Sequence, residues 1–157
     1  MPSRAVRGIL FDKTPDANWL VPWHQDLSIA VRERRYVPGF GPWSVKAGVH
    51  HVQPPGEILD QMLTVRIHLD ACPAENGPLR VIPGSHRSLL SPNELARRVN
   101  EESSVACCVE AGDALLMRPM LAHTSAPARI PAHRRVVHIE YAACELPGAL
   151  EWHAVQV

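Results

Sequence analysis

The sequence predicts a mainly β protein, an antiparallel sandwich or jelly roll carrying short surface helices. Three observations carry this reading. Fifteen prolines are spread through 157 residues, which suits many short strands joined by turns and opposes a helical bundle. Turn chemistry recurs between short apolar runs, at 13–18, Asn76-Gly77, Pro83-Gly84 and Gly112-Asp113. Two longer stretches, Met62 to Leu69 and Arg134 to Tyr141, alternate with the two-residue period of a strand that has one polar and one apolar face.

Each element follows in chain order. Ala5 to Phe11 is an apolar run interrupted by Gly8, a first strand, and 13–18 is a turn. Trp19 to Ile29 reads as one or two strands carrying Trp23-His24-Gln25-Asp26. Arg32-Glu33-Arg34-Arg35 is a solvated charge run. Tyr36 to Pro55 lacks periodicity yet holds Phe40, Trp43, Lys46, His50 and His51, so it is expected to be an irregular lid over the preceding strand. Pro55 to Gln61 forms a short helix, and Met62 to Leu69 a strand with Thr64, Arg66 and His68 on one face. Leu79 to Ile82 is a strand closed by Pro83-Gly84-Ser85-His86. Ser91-Pro92-Asn93-Glu94 starts a polar surface helix, with Ser at the N-cap, Pro at N1 and Glu completing a capping box, and it ends near Asn100. Strands at Val105 to Val109, Ala114 to Met117, Leu121 to Ser125 and Arg134 to Tyr141 complete a set of seven or eight in one domain, 1–157.

Composition narrows the function. Lys+Arg and Asp+Glu are both 16, so no long-range attraction steers nucleic acid or an acidic membrane toward the surface. Cys72, Cys107, Cys108 and Cys144 form no C-x-x-C pair, which points to free thiols in a reducing compartment. No stretch approaches transmembrane length and the N-terminus has no long apolar run, so a cytoplasmic location is expected.

The chemistry centres on His24 and Asp26. In an extended strand these two share a face while Gln25 turns away. His123 can add a third ligand, and two histidines with one carboxylate is the facial set of non-haem Fe(II) oxygenases. Residues 126–131 lie midway between His123 and Arg134. Taken as the bend of an antiparallel pair, they bring the two side chains together on neighbouring strands. An arginine beside a metal ligand calls for an anion between them, and a dicarboxylate that chelates the metal and meets the guanidinium satisfies it. Ser125 shares the face of His123 and can donate to the same carboxylate.

These residues resemble the phytanoyl-CoA dioxygenase (PhyH-like) family of Fe(II)- and 2-oxoglutarate-dependent oxygenases. The resemblance rests on Trp23-His24-Gln25-Asp26, Asn76-Gly77-Pro78-Leu79, Ile82-Pro83-Gly84-Ser85-His86, Gly112-Asp113-Ala114-Leu115-Leu116, His123-x-Ser125, and Arg134 leading into Tyr141. It spans about Lys13 to Ala142. It implies a cupin-like double-stranded β-helix (jelly roll), with His24, Asp26 and His123 as iron ligands. Arg134 becomes the 2-oxoglutarate clamp, assisted by Ser125, with Lys13 and either Thr64 or Arg66 as further co-substrate contacts. Arg66, Trp43 and His51 are candidates for the substrate, and His86 is structural. The implied cofactors are Fe(II), 2-oxoglutarate and O2, acting on a small molecule with release of succinate and CO2. Asp26 fills the position that related halogenases leave open for chloride, so hydroxylation or desaturation is expected.

The family's usual N-terminal helical section is mostly missing ahead of the metal-binding strand. That leaves apolar strand faces, Leu63, Val65, Ile67 and Leu69 on one and Val137, Ile139 and Tyr141 on the other, without obvious cover. A homodimer that covers them is expected. The alternatives are a non-catalytic jelly-roll binding module or inactive truncated relative, and a cupin-like metal isomerase.

Overall fold

A computed structural model describes residues 2–153. Its two main sheets face each other across the site. In the first, β1 (Arg4–Lys13), β11 (Arg134–Ala142), β6 (Met62–His68) and β9 (Ala114–Met117) lie in the order β1-β11-β6-β9. In the second, β2 (Val21–His24), β10 (His123–Ser125), β7 (Leu79–Val81) and β8 (Val105–Cys107) lie in the order β2-β10-β7-β8. All the pairings are antiparallel. This is the jelly-roll architecture expected from the sequence.

Alternation along β11 and β6 decides what faces the interior. Arg134, Val136, His138, Glu140 and Ala142 are buried, while the residues between them are less so. On β6 the buried set is Met62, Thr64 and His68, with Arg66 half-buried beside them. The polar face therefore looks inward. Outward, Leu10, Val137, Ile67 and Ala114 form one cross-strand row, and Gly8, Ile139, Val65 and Leu116 form the next.

Three expectations are corrected. First, Tyr36 to Pro55 is not irregular. It contains β4 (Trp43–Lys46) and β5 (Val49–Val52), which form a third sheet with β3 (Ile29–Val31) in the order β3-β5-β4. Proline and glycine at its start hid a hairpin whose Val52, with Val31, is fully buried. This sheet packs into the largest apolar core, with Ile29, Leu59, Met62, Leu146 and Trp152. Second, β1 runs on through Lys13, which the sequence assigned to a turn. Third, β10 and β11 are not a hydrogen-bonded pair. Residues 126–133 carry the chain from one sheet to the other, so His123 and Arg134 approach across the sandwich.

The helices are as expected. α1 (Gly56–Leu59) is a single turn, and α2 (Pro92–Glu101) has Ser91 at its N-cap with both bonds of the capping box. No helix among the described residues is long and apolar enough to cross a membrane. Cys72 and Cys144 are buried, Cys107 is half-buried and Cys108 exposed, all as free thiols.

Candidate functional site

His24 is the last residue of β2 and pairs directly with His123 at the start of β10. Cross-strand pairing brings their rings to 4.2 Å between centroids. Asp26 lies just beyond the strand, where its backbone N–H donates to the Pro119 carbonyl at 2.9 Å. Its carboxylate sits 3.4 Å from His24 Nε2 and 3.7 Å from His123 Nε2. One ligand atom from each of the three residues lies within 4.8 Å of the others, and this is the only such triad of metal-binding side chains among the described residues.

The backbone fixes how these rings present themselves. His24 Nδ1 lies 2.8 Å from the Pro22 carbonyl, and His123 Nδ1 lies 2.7 Å from the Leu121 carbonyl. A carbonyl only accepts, so each Nδ1 carries the proton and each Nε2 presents its lone pair toward Asp26. Burial pushes the Asp26 carboxyl up, but the adjacent histidines outweigh it and hold it at about 2. The bond to Asp26 raises His24, whereas burial lowers His123. With any Nε2 proton given up, two imidazoles and a carboxylate converge as a ligand set that suits a divalent transition metal.

Gln25 turns away, as alternation requires, and ties the strand down from behind. Its amide nitrogen donates to the carbonyls of Met120 (2.6 Å) and Ser88 (2.9 Å), and its oxygen accepts from Leu90 N–H at 2.9 Å. The Pro83-Gly84-Ser85-His86 turn serves the same scaffold. Ser85 Oγ donates to the Ile82 carbonyl at 2.7 Å and accepts from Ala122 N–H at 2.8 Å, next to His123.

Beside the triad is a cavity of about 230 Å³, lined by His24, Asp26 and His123 on one side and by Lys13, Arg66, Ser125 and Arg134 on the other. Lys13 Nζ donates to Ser125 Oγ and to the Ala126 carbonyl, both at 3.0 Å. Arg134 donates to Ser125 Oγ at 3.0 Å and to the Gly77 carbonyl. Ser125 Oγ in turn donates to the Gly77 carbonyl at 3.2 Å. Gly77 has φ 58°, and a Cβ there would lie 2.3 Å from the Ala126 carbonyl oxygen, so only glycine fits this turn. Burial and the neighbouring Arg134 push Lys13 down to about 8, and Arg134 Nε is buried without a partner. Three cations line a pocket whose only carboxylate is Asp26, an arrangement that a bound dianion would complete.

The remaining sequence candidates divide. Arg66 lines this cavity and donates to His138 Nδ1 at 2.9 Å. Thr64 is buried on the same face but lines neither cavity. Trp43 packs against the main core with Arg34 over its ring at 5.6 Å, and it lines neither cavity. His51 is 1% exposed and lines a second, larger cavity of about 890 Å³. Arg7, Phe11, Asp26, His138 and Glu140 also line that space, and Asp26, Phe11 and His138 are common to both cavities. Arg7 and Glu140 escaped the sequence reading. Glu140 could have been found, since it shares the strand face of Arg134 and His138 by strict alternation.

Comparison with known proteins agrees with this geometry. The family model for phytanoyl-CoA dioxygenase (PhyH) matches residues 3–136. No curated protein sequence matches the chain. Among solved structures, AviO1 from Streptomyces viridochromogenes Tue57 is 27% identical, with a TM-score of 0.65 over 94% of this chain and 54% of that one. EctD from S. alaskensis, solved with 2-oxoglutarate and 5-hydroxyectoine, is 21% identical, with a TM-score of 0.62 over 90% of this chain and 44% of that one. HygX from Streptomyces hygroscopicus, solved with iron bound, is 16% identical, with a TM-score of 0.55 over 90% and 58%. The chain thus spans about half the length of these proteins. The matched segment begins just ahead of β1 and reaches into β11, and so holds every residue of the triad and of the cationic pocket. The chain belongs to the phytanoyl-CoA dioxygenase family.

Proposed function

We propose that this chain is an Fe(II)- and 2-oxoglutarate-dependent oxygenase that hydroxylates or desaturates a small molecule, releasing succinate and CO2. The carrying observation is the His24–Asp26–His123 triad facing three otherwise uncompensated cations across one small cavity. Family membership and the 2-oxoglutarate and iron in the EctD and HygX structures support it.

In this reading His24 and His123 bind ferrous iron through Nε2, and Asp26 supplies the third ligand and offsets one of its charges. The backbone carbonyls of Pro22 and Leu121 hold both rings in the ligating tautomer before the metal arrives. Arg134 grips the distal carboxylate of 2-oxoglutarate, Lys13 adds a second charge, and Ser125 orients both through its hydroxyl. When bound, iron with 2-oxoglutarate and O2 supplies the oxidising power for attack on an unactivated C–H bond. The walls exclude water from that chemistry, through Phe11, Val21, Leu79 and Val136.

The test is anaerobic metal and co-substrate binding. One Fe(II) per chain is expected for the parent, and none for His24→Ala or His123→Ala. Arg134→Ala should keep its iron and weaken 2-oxoglutarate, because loss of one partner of a buried charge pair typically costs about 3–5 kcal/mol. Unchanged iron stoichiometry in both histidine variants would sink the metal assignment. An unaltered 2-oxoglutarate affinity would move the clamp to Arg66 or Lys13.

A further inference from the structure

The larger cavity carries a set of polar groups that the oxygenase chemistry does not use. His51 Nδ1 lies 3.0 Å from the Val49 carbonyl, which can only accept. The ring proton is therefore on Nδ1, and burial together with Arg7 and Lys46 lowers the ring's affinity for a second one. His51 Nε2 is left as a bare acceptor, buried and without a partner. The tautomer of His138 is fixed from the other side. Arg66 has no acceptor to offer, so His138 Nδ1 accepts from it and Nε2 carries the proton. That Nε2–H lies 3.6 Å from Glu140 Oε1, too far for a hydrogen bond, and is free to donate. Glu140 is 7% exposed and takes a bond from Arg7 at 3.1 Å through Oε1. No hydrogen bond engages its Oε2 among the described residues.

Charge decides what these groups can receive. Arg7 already compensates Glu140, and Arg32 is paired with Glu151. A cationic substrate would find Glu140 already paired with Arg7 and Asp26 held by the triad histidines, so among the described residues no unpaired carboxylate awaits it. A carboxylate would face Glu140, Asp26 and the bare nitrogen of His51, and among the described residues the lining cation without a carboxylate partner, Lys46, is exposed. An aliphatic chain would leave two acceptors and one donor unsatisfied. A hydroxyl both donates and accepts, and it matches all three.

We infer that the larger cavity selects a neutral, polyhydroxylated substrate, with hydroxyls donating to Glu140 and His51 and accepting from His138. This rests on the oxygenase reading, since Asp26 and His138 place the cavity against the metal triad. The experiment keeps the two separable. Parent protein is loaded anaerobically with Fe(II) and 2-oxoglutarate, and the visible iron–keto-acid charge-transfer band is recorded. Methyl α-glucopyranoside, myo-inositol, an acyl-CoA and a primary alkylamine are then titrated in turn, with calorimetry in parallel. The hydroxylated probes should perturb the band and bind, whereas the acyl-CoA and the amine should not. Glu140→Gln and His51→Leu should retain the band while weakening the hydroxylated probes by about tenfold or more each, the loss of one good hydrogen bond to a buried group. Absence of the band in the parent would overturn the oxygenase reading itself. A normal band that responds to the acyl-CoA or amine, or to none of the hydroxylated probes, would overturn the substrate class. So would full probe affinity in both variants.

Discussion

At the scale of single residues, backbone carbonyls do much of the preparation. Pro22 and Leu121 each take the Nδ1 proton of a triad histidine, and Gly77 takes protons from Arg134 and Ser125. Lys13 is the exception, a cation held by a hydroxyl and one carbonyl with Arg134 as its neighbour. Its pKa falls from 10.5 to about 8. The cost of keeping the buried cation is fully present below pH 8 and fades as the pH climbs toward 10.5. A bound dicarboxylate reverses this by favouring the charged form. 2-Oxoglutarate should therefore bind with proton uptake above pH 8, and its affinity should decline as the pH rises from 8 to 10. Calorimetry in buffers of different ionisation enthalpy measures that uptake. Lys13→Met should abolish the uptake, and its persistence would place the titrating group elsewhere. The triad and Arg134 were legible in the sequence because each is a chemically conspicuous residue at a recognisable spacing. Thr64 and Trp43 line neither cavity, and a shared face or a loop aromatic says nothing about depth. Glu140 went unseen because a lone carboxylate belongs to no recognisable motif, although alternation sets it on the face of Arg134 and His138.

Among the elements, the strand carrying the triad is short, and β2 ends at His24. What helps hold Asp26 in place is the anchoring of Gln25 between them, with bonds to two connections, the one from β7 to α2 and the one from β9 to β10. Gln25→Leu fills much of the same space but leaves Leu90 N–H and two carbonyls without that partner. Each unsatisfied buried group costs about 1–3 kcal/mol, so the variant should lose roughly 2–4 kcal/mol in urea denaturation. Iron affinity should fall with it, although Gln25 touches no metal. Full iron affinity in this variant would show that β2 is held by its pairing alone. The strand pairs and the capping box of α2 were readable from period and caps. The β4–β5 hairpin was not, because Pro38, Gly39, Gly41 and Pro42 precede it and its own strands are only four residues long. That β10 and β11 lie in opposed sheets was not readable either. Chain order brings His123 and Arg134 close, but it does not distinguish a hairpin from a crossover.

For the whole molecule, the outer face of the first sheet stands out. Leu10 and Leu116 are 63% and 60% exposed, and between them run Val137, Ile67, Ile139 and Val65 in register across β11 and β6. Such a face is costly in water. The homodimer expected from the sequence would place it at the contact. Light scattering over a micromolar concentration series should then show a dimer, and Leu10→Glu with Leu116→Glu should return it to monomer without loss of iron. A parent that stays monomeric and binds no apolar dye would contradict this. A monomer that binds dye strongly would show the face to be open.

The crossover at 126–133 has a different consequence. Residues 129–133 are exposed, and they are the covalent link between the strand bearing His123 and the strand bearing Arg134. Each of those strands is held by two neighbours in its own sheet, and neither is paired with the other. Continuity of the chain is thus not what brings metal triad and anion clamp together; packing of sheet on sheet is. A cut at Ala132 would free a C-terminal piece carrying β11, with ladders on both edges, together with Leu146 and Trp152 of the main core. The protein is in that sense already divided into a metal-holding piece and a clamp-bearing piece. Supplying the second piece in trans would make 2-oxoglutarate binding depend on whether two fragments have met.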